Sequence, residues 1–203
     1  MEREDRPVTD SPETDVPAPD VPMRACQGCG ALLARTTWAL DRDLHASPEC
    51  WHAYGQVTTF ATQYPELVAL HQVTLDAYGA QHPGSPTPPI FVAYSLAGLY
   101  LALDVKLDPP AVRTVHQRMG KPQPWWPDFS TPPARSALTI ADVLREGAGA
   151  DSVAGHAAAV QRWSGDVWLS WAPRHDDVAG LLDRLFPGEF TDGDVDGSGD
   201  DLA

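Results

Sequence analysis

Residues 45–51 read HASPECW, and this segment predicts the start of the first helix of the domain. Ser47 is a preferred N-cap residue, and Pro48 fits the first helical turn, where a backbone N–H is not needed. Glu49 suits the positive end of the helix dipole. The segment therefore predicts a helix that begins at Pro48 and carries Cys50 in its first turn, where the dipole also favours an ionised thiol.

Two cysteines with metal-ligand spacing precede this helix. Cys26 and Cys29 are separated by two residues and followed by Gly30, which is the spacing of a zinc knuckle, a tight turn that points two thiolates at one metal ion. The chain has 3 cysteines, an odd number that disulfides cannot pair completely. In a reducing compartment, metal binding explains them more easily. We therefore predict that Cys26, Cys29 and Cys50 hold one zinc ion.

A histidine close to Cys50 is predicted to be the fourth ligand. His45 lies in the loop before the helix, whereas His52 lies in the helix and points about 200° away from Cys50 around its axis. His45 is the preferred candidate, in a treble-clef-like arrangement, and four protein ligands would make the zinc structural rather than catalytic. Three alternatives stay open: a site of three cysteines and a water, unrelated free thiols, and a redox Cys-x2-Cys motif, which lacks the usual βαβ context here.

Apolar periodicity and helix-terminating residues predict helices along the rest of the chain. The predicted helices cover residues 48–62, 65–81, 90–107, 109–119 and 139–147, and two more start at residues 151 and 173. The apolar face of the long helix from residue 151 comprises His156, Val160, Trp163, Val167 and Trp171. No alternating strand pattern occurs outside the zinc segment. The predicted fold class is all-α, a helical domain with an N-terminal zinc-knuckle segment.

The formal net charge of -14 is concentrated at the two ends of the chain. Residues 1–23 are rich in acids and proline, and residues 188–203 contain six acids and no base. Such segments cannot bury enough apolar surface to fold, so we predict two disordered acidic tails around one domain, residues 24–187. Nucleic acid is not expected as a partner, because no basic patch is visible.

The most apolar stretch, residues 90–105, is too short to span a bilayer and contains Asp104 near its end. We interpret it as a buried core helix. The N-terminus has neither the basic region nor the apolar region of a secretory signal. No membrane association is expected, and the predicted location is the cytoplasm.

A second concentration of polar side chains lies on the helix predicted for residues 65–81. His71, Tyr78 and His82 fall on one face at helical spacing. The candidates for a catalytic site are His82, Tyr78, Gln81, Asp76 and His71. The competing interpretation is that these groups satisfy buried backbone atoms around the following proline-rich loop, which is the commoner role of buried polar side chains.

Three functions are compatible with these patterns. The preferred one is a zinc-binding module with a binding or regulatory role toward an unidentified protein or small molecule. The second is an enzyme with a pocket centred on His82, Tyr78 and Gln81, although the common enzyme signatures are missing from the sequence. The third is a structural interaction partner that uses Trp125 and Trp126 as an exposed anchor.

Four motifs together resemble a family of uncharacterised, mainly actinobacterial proteins that has only a domain-of-unknown-function label. They are Cys26-x2-Cys29-Gly30, His45-x-Ser47-Pro48-x-Cys50-Trp51, Asp76-x-Tyr78-x2-Gln81-His82-Pro83-Gly84 and Trp168-x2-Trp171. The resemblance covers about residues 24–186. It implies that Cys26, Cys29, His45 and Cys50 belong together and that Gln81-His82-Pro83-Gly84 is part of the family pattern, but it implies no activity.

Overall fold

Two short strands and a set of helices make up the protein in a computed structural model that describes residues 21–37, 39–40, 42–120, 126–149 and 153–190. Most of the two predicted tails, residues 1–20 and 191–203, lies outside these ranges, as does Trp125. The predicted disorder of the tails and the domain limits at residues 24 and 187 stay predictions.

The strands form an antiparallel hairpin at the N-terminal end of the described chain. Strand β1 (Met23–Ala25) pairs with β2 (Leu32–Ala34), and Arg24 lies opposite Leu33 in the register. An isolated two-stranded hairpin is only marginally stable, so the stability of this one depends on contacts with other parts of the molecule.

Seven helices follow the hairpin within the described residues, so the fold is mostly helical as predicted. They are α1 (Pro48–Thr62), α2 (His71–Ala80), α3 (Pro89–Leu103), α4 (Pro109–Met119), α5 (Ile140–Gly149), α6 (Val153–Ser170) and α7 (His175–Leu185). Short 3-10 turns at Pro65–Leu70 and Ala172–Arg174 lead into α2 and α7.

Helix α3 lies at the centre of the helical layer. Its residues are apolar nearly all round, which is typical of a helix that is covered on several sides. It packs against α2, α4, α6 and α7. The contact with α2 is close because Gly79 faces the Ser95 side chain and Gly98 faces the Asp76 carboxyl, and a Cβ at either glycine would overlap these groups.

The predicted apolar face of α6 is confirmed, since His156, Val160, Trp163, Val167 and Trp171 are all buried. Trp163 of α6 and Trp171, which directly follows α6, hold the C-terminal end of α2. The indole N–H of Trp171 donates to the carbonyl oxygen of Ala80 at 3.1 Å, and that of Trp163 donates to Oε1 of Gln81 at 3.1 Å. These bonds fix the position of the residue that follows, His82.

No helix in the described part of the chain has the length and the apolar character needed to cross a membrane. The apolar stretch at residues 90–105 is the core helix α3, as its sequence predicted.

Candidate metal centre

The turn between β1 and β2 has the backbone geometry of a metal-binding knuckle. The N–H of Gly30 donates to the carbonyl oxygen of Cys26 at 2.9 Å, and the N–H of Cys26 donates to the carbonyl oxygen of Ala31 at 2.9 Å. Gly30 has a φ of 83°, a left-handed conformation that glycine adopts without strain. The turn brings the Sγ atoms of Cys26 and Cys29 to one side of the hairpin.

Helix α1 supplies the third thiol, and its predicted start is confirmed. Ser47 is the N-cap, and its Oγ accepts a hydrogen bond from the N–H of Cys50 at 3.2 Å. The backbone N–H of Ser47 donates to Sγ of Cys26 at 3.3 Å. The same loop therefore caps the helix, places Cys50 in its first turn and connects it to the knuckle.

His82 supplies the fourth donor from just beyond the end of α2. Its Nδ1 lies 2.7 Å from the carbonyl oxygen of Tyr78. Because a carbonyl oxygen only accepts, Nδ1 carries the proton, and the neutral ring then has a free electron pair on Nε2. That nitrogen faces the thiols, in the orientation that backbone carbonyls commonly impose on metal-binding histidines.

The four side chains form one buried group. The ligand atoms of Cys26, Cys29, Cys50 and His82 all lie within 4.8 Å of one another. Nε2 of His82 is 3.5 Å from Sγ of Cys26 and 3.3 Å from Sγ of Cys50, and the sulfurs of Cys29 and Cys50 are 3.6 Å apart. Relative exposure is 2% for Cys26, 6% for Cys29 and 0% for both Cys50 and His82.

These separations fit the edges of a tetrahedron around a zinc ion. Zinc–sulfur bonds of about 2.3 Å and zinc–nitrogen bonds of about 2.0–2.1 Å place two sulfurs about 3.8 Å apart and a sulfur and a nitrogen about 3.5 Å apart. The three distances given above lie close to these values. Three thiolates and one imidazole are also a common donor set for structural zinc.

The charges of the group favour a bound cation. Hydrogen bonds with Cys29 and Cys50 lower the pKa of Cys26, whereas hydrogen bonds with Cys26 and Cys29 raise the pKa of Cys50. Without a metal ion, burial lowers the pKa of His82, but the thiols of Cys26 and Cys29 outweigh burial and raise it to about 10, so Nε2 takes up a proton that a bound metal ion would replace. Neighbouring buried thiols therefore cannot all ionise unless a positive charge lies among them.

Hydrogen-bond donors surround the sulfurs. The N–H of Ser47 reaches Cys26, the N–H of Ala31 reaches Sγ of Cys29 at 3.5 Å, and the hydroxyl of Tyr78 lies 3.8 Å from Sγ of Cys50. A divalent cation with three thiolates and a neutral imidazole has one net negative charge. These donors and the positive end of the α1 dipole stabilise that charge.

The sequence predicted His45 as the fourth ligand, but the structure places His82, not His45, beside the three thiols. Nδ1 of His45 instead donates to the carbonyl oxygen of Pro83 at 2.6 Å, and its N–H donates to Oγ1 of Thr87 at 2.8 Å. His45 thus connects the α1 loop to the loop that carries His82. His52 is exposed on α1 and outside the group.

Gly28 explains how His82 can come so near the knuckle. A Cβ at this position would lie 2.2 Å from the carbonyl oxygen of His45 and 2.6 Å from Cδ2 of His82. Only glycine leaves room for both. The sequence signals for this packing were a glycine inside the Cys-x2-Cys turn and a histidine before Pro83 and Gly84 at a helix end, and neither identifies its partner in space.

The other candidates for a catalytic site do not converge on one cavity. Tyr78 is fully buried beside Cys50, whereas His71 is exposed at the start of α2. The side-chain amide of Gln81 donates to the hydroxyl of Ser136 and, at 2.6 Å, to the carbonyl oxygen of Leu138. A cavity lined by Cys29 and Gln81 has a volume of about 10 Å³, too small for more than one water molecule.

The fold and this site together define a mostly helical protein with a buried group of three cysteines and one histidine suited to a metal ion. No curated protein and no solved structure matches the chain significantly. The chain belongs to a family of unknown function, DUF5946, whose model matches residues 24–172. That match runs from the hairpin to the end of α6. The actinobacterial origin and the motif assignments implied by the resemblance stay predictions.

Proposed function

We propose that the Cys26, Cys29, Cys50 and His82 group holds one structural zinc ion and that the protein is a binding or regulatory module whose fold depends on it. The observation that carries the proposal is the cluster of four buried protein donors, whose ligand atoms all lie within 4.8 Å of one another. Zinc prefers this geometry and these ligand types, and it undergoes no redox change in a reducing compartment.

Burial of the donors favours a structural role over a catalytic one. A catalytic zinc keeps one coordination position for water or substrate, whereas a structural zinc is closed by four protein ligands. Here the fourth position is taken by His82, which is completely buried and held by the carbonyl of Tyr78. The metal would thereby join the hairpin, the start of α1 and the end of α2.

The same features support the proposed role as a module in the cytoplasm. The three cysteines are free, as expected for metal ligands kept reduced. Because the metal would join distant segments of the chain, the free energy of zinc binding would contribute to the free energy of folding. The metal would thereby stabilise the surface that the helices present. The partner on that surface is a protein or small molecule of unidentified class.

The two rival functions gain no specific support. His82 is committed to the thiols, so it is not available for acid–base chemistry on a substrate. Trp126 is partly buried and packs on the Tyr94 ring with centroids 5.5 Å apart, which argues against an exposed aromatic anchor at this residue.

Metal content tests the proposal directly. We expect one zinc per chain by elemental analysis of wild type purified without a tag that binds metal. Cys50→Ser and His82→Ala should each weaken zinc affinity by more than about 100-fold, the upper range for losing even an outer hydrogen-bond partner. His45→Ala is the matched control and should retain the full zinc content, because its ring bonds to Pro83 instead.

Two results would contradict the proposal. Loss of zinc in His45→Ala with retention in His82→Ala would indicate that His45 is the fourth ligand, as the sequence predicted. A zinc-loaded protein that keeps its melting temperature after complete chelation would show that the metal does not stabilise the fold.

A further inference from the structure

A second buried polar group lies away from the thiols, at a pocket between α2, α3, α4 and α6. The pocket has a volume of about 210 Å³. Its apolar wall includes Leu70, Val73, Leu103, Leu107 and Val112, and its polar members are Gln72, Asp76, Gln161 and Ser164. None of the residues that line it is a lysine or an arginine.

Asp76 is the ionisable group of this pocket, and it is only 2% exposed. Both of its carboxyl oxygens lie 3.1 Å from Nε2 of Gln72, which also lies 3.2 Å from Nδ1 of His116. Nε2 of His116 donates to the carbonyl oxygen of Tyr94 at 3.1 Å, so Nδ1 accepts from the Gln72 amide and the imidazole is neutral.

Neither protonation state of Asp76 is fully partnered within the described residues. As a carboxylate it has one amide donor and no cation, and as an acid its hydroxyl has no acceptor among the recorded hydrogen bonds. Burial raises the pKa of Asp76 well above its usual range, against the opposing effect of the Gln72 hydrogen bond. Buried carboxylates are usually paired with a cation or with several donors, and among the described residues this one has only the Gln72 amide.

We propose that this pocket binds a small primary amine with an apolar tail, whose ammonium group pairs with the Asp76 carboxylate. A cationic amine supplies both the missing positive charge and additional N–H donors. The aliphatic side chains of the wall suit a short hydrocarbon chain or a single ring. An anionic ligand is disfavoured because it would meet a carboxyl and no basic side chain among the lining residues.

The pocket size limits the ligand. Pockets for drug-sized molecules have volumes of about 300–1,000 Å³, and an apolar cavity of about 150 Å³ accepts benzene. A volume of about 210 Å³ therefore matches an amine built on one aromatic ring or a short alkyl chain. Benzylamine is a suitable probe, with benzyl alcohol as its uncharged counterpart and benzoate as its anionic counterpart.

Binding must be linked to pH, because Asp76 has to give up its proton before it can pair with the ammonium group. Titratable neighbours on the packed elements are His116 of α4 and Tyr54 of α1; α3 presents Gly98, and α6 contributes Gln161 and Ser164 to the lining. Burial lowers the pKa of His116 and raises that of Tyr54 to about 12, so both stay neutral near neutral pH.

The test titrates the zinc-loaded, full-length protein with the three probes and follows binding by calorimetry and by NMR shifts of pocket methyl groups. We expect benzylamine to bind at least about tenfold more tightly than benzyl alcohol. Its affinity should rise with pH, with release of protons, until the amine itself is deprotonated. Asp76→Asn should remove both the preference and the pH dependence. Asp43→Asn, an exposed aspartate away from the pocket, is the control and should change neither.

The comparison of probes on wild type keeps the proposal testable even if Asp76→Asn fails to fold. Equal binding of benzylamine and benzyl alcohol would overturn it in favour of a site for neutral molecules. Preferred binding of benzoate, or no shift of the pocket methyl groups with any probe, would also overturn it.

Discussion

Gly28 is the residue at which the knuckle, the His45 loop and the His82 ring meet. A side chain here has no space, because the two nearest atoms belong to the backbone of His45 and to an imidazole that is itself packed. The residue is therefore as important for the site as a ligand, although it has no donor atom.

We expect Gly28→Ala to lower the free energy of unfolding of the zinc-loaded protein by about 1–3 kcal/mol, the usual cost of overpacking, and to weaken zinc binding. Chemical denaturation and a competitive zinc titration measure the two effects. Gly55→Ala is the matched control: Gly55 lies inside α1 with nothing within 4 Å of an added Cβ. That variant should gain about 0.5–1 kcal/mol from helix propensity, and an equal effect of both substitutions would contradict the packing argument.

Helices α1 and α4 begin with the same device but in different surroundings. Ser47 caps α1 through the N–H of Cys50, and Asp108 caps α4 by accepting from the N–H of Ala111 at 2.7 Å. Only the first cap is next to the metal group, since the N–H of Ser47 also reaches Cys26. The pair separates the contribution of a cap to helix stability from its contribution to the metal centre.

Ser47→Ala and Asp108→Ala should each lower the free energy of unfolding by about 0.5–2 kcal/mol, because each leaves a helical N–H without its side-chain acceptor. We expect only Ser47→Ala to reduce zinc affinity as well. Thermal melts and a competitive chelator titration distinguish the two. Reduced zinc affinity in Asp108→Ala would indicate that the centre depends on overall stability and not on the local cap.

The sequence predicted the individual helices well, because caps, prolines and apolar spacing are local signals. Those signals placed α1 and α4 correctly and identified the buried face of α6, whose five residues are all buried. They also identified the three thiols. The fourth donor was not accessible in this way, since His82 is 32 residues from Cys50 and the contact depends on how α6 holds the end of α2.

At the scale of the whole molecule, the described residues form two hydrophobic clusters that differ in their distance from the metal group. The larger one includes the three cysteines, Tyr78 and the tryptophans of α6. The smaller one joins α3, α4 and α7 and consists of Ala97, Leu101, Val112, Val115, Met119, Leu182 and Phe186. Removing the metal therefore weakens one end of the molecule more than the other.

Hydrogen exchange should show this difference. After chelation we expect faster exchange of the amides of Cys26, Ala31 and Cys50, whose hydrogen bonds organise the centre. Amides of Val112 and Val115 in α4 should keep most of their protection, because local opening need not involve the smaller cluster. Equal loss of protection at both ends would show instead that the protein unfolds as one unit when the metal leaves.

Acidification should have the same effect as chelation. A zinc-bound thiolate has a pKa below that of the unfolded thiol, so its contribution to stability is present above the unfolded pKa and is lost as pH falls. We expect the melting temperature of zinc-loaded wild type to decrease as the pH is lowered from 8 toward 5. Cys50→Ser, with the site broken, should lose less over the same range.

The sequence separation between the first and last donors has a consequence for how the chain is made. Cys26 and His82 are 56 residues apart, so a nascent chain that has been synthesised only as far as Cys50 provides three thiols but not the imidazole that completes the set. Closing this longer segment costs about 1 kcal/mol more than closing one that ends at His45. The nascent chain is therefore expected to bind the metal tightly only after α2 has been synthesised. A nascent chain with tightly bound zinc would already have α2 packed in place.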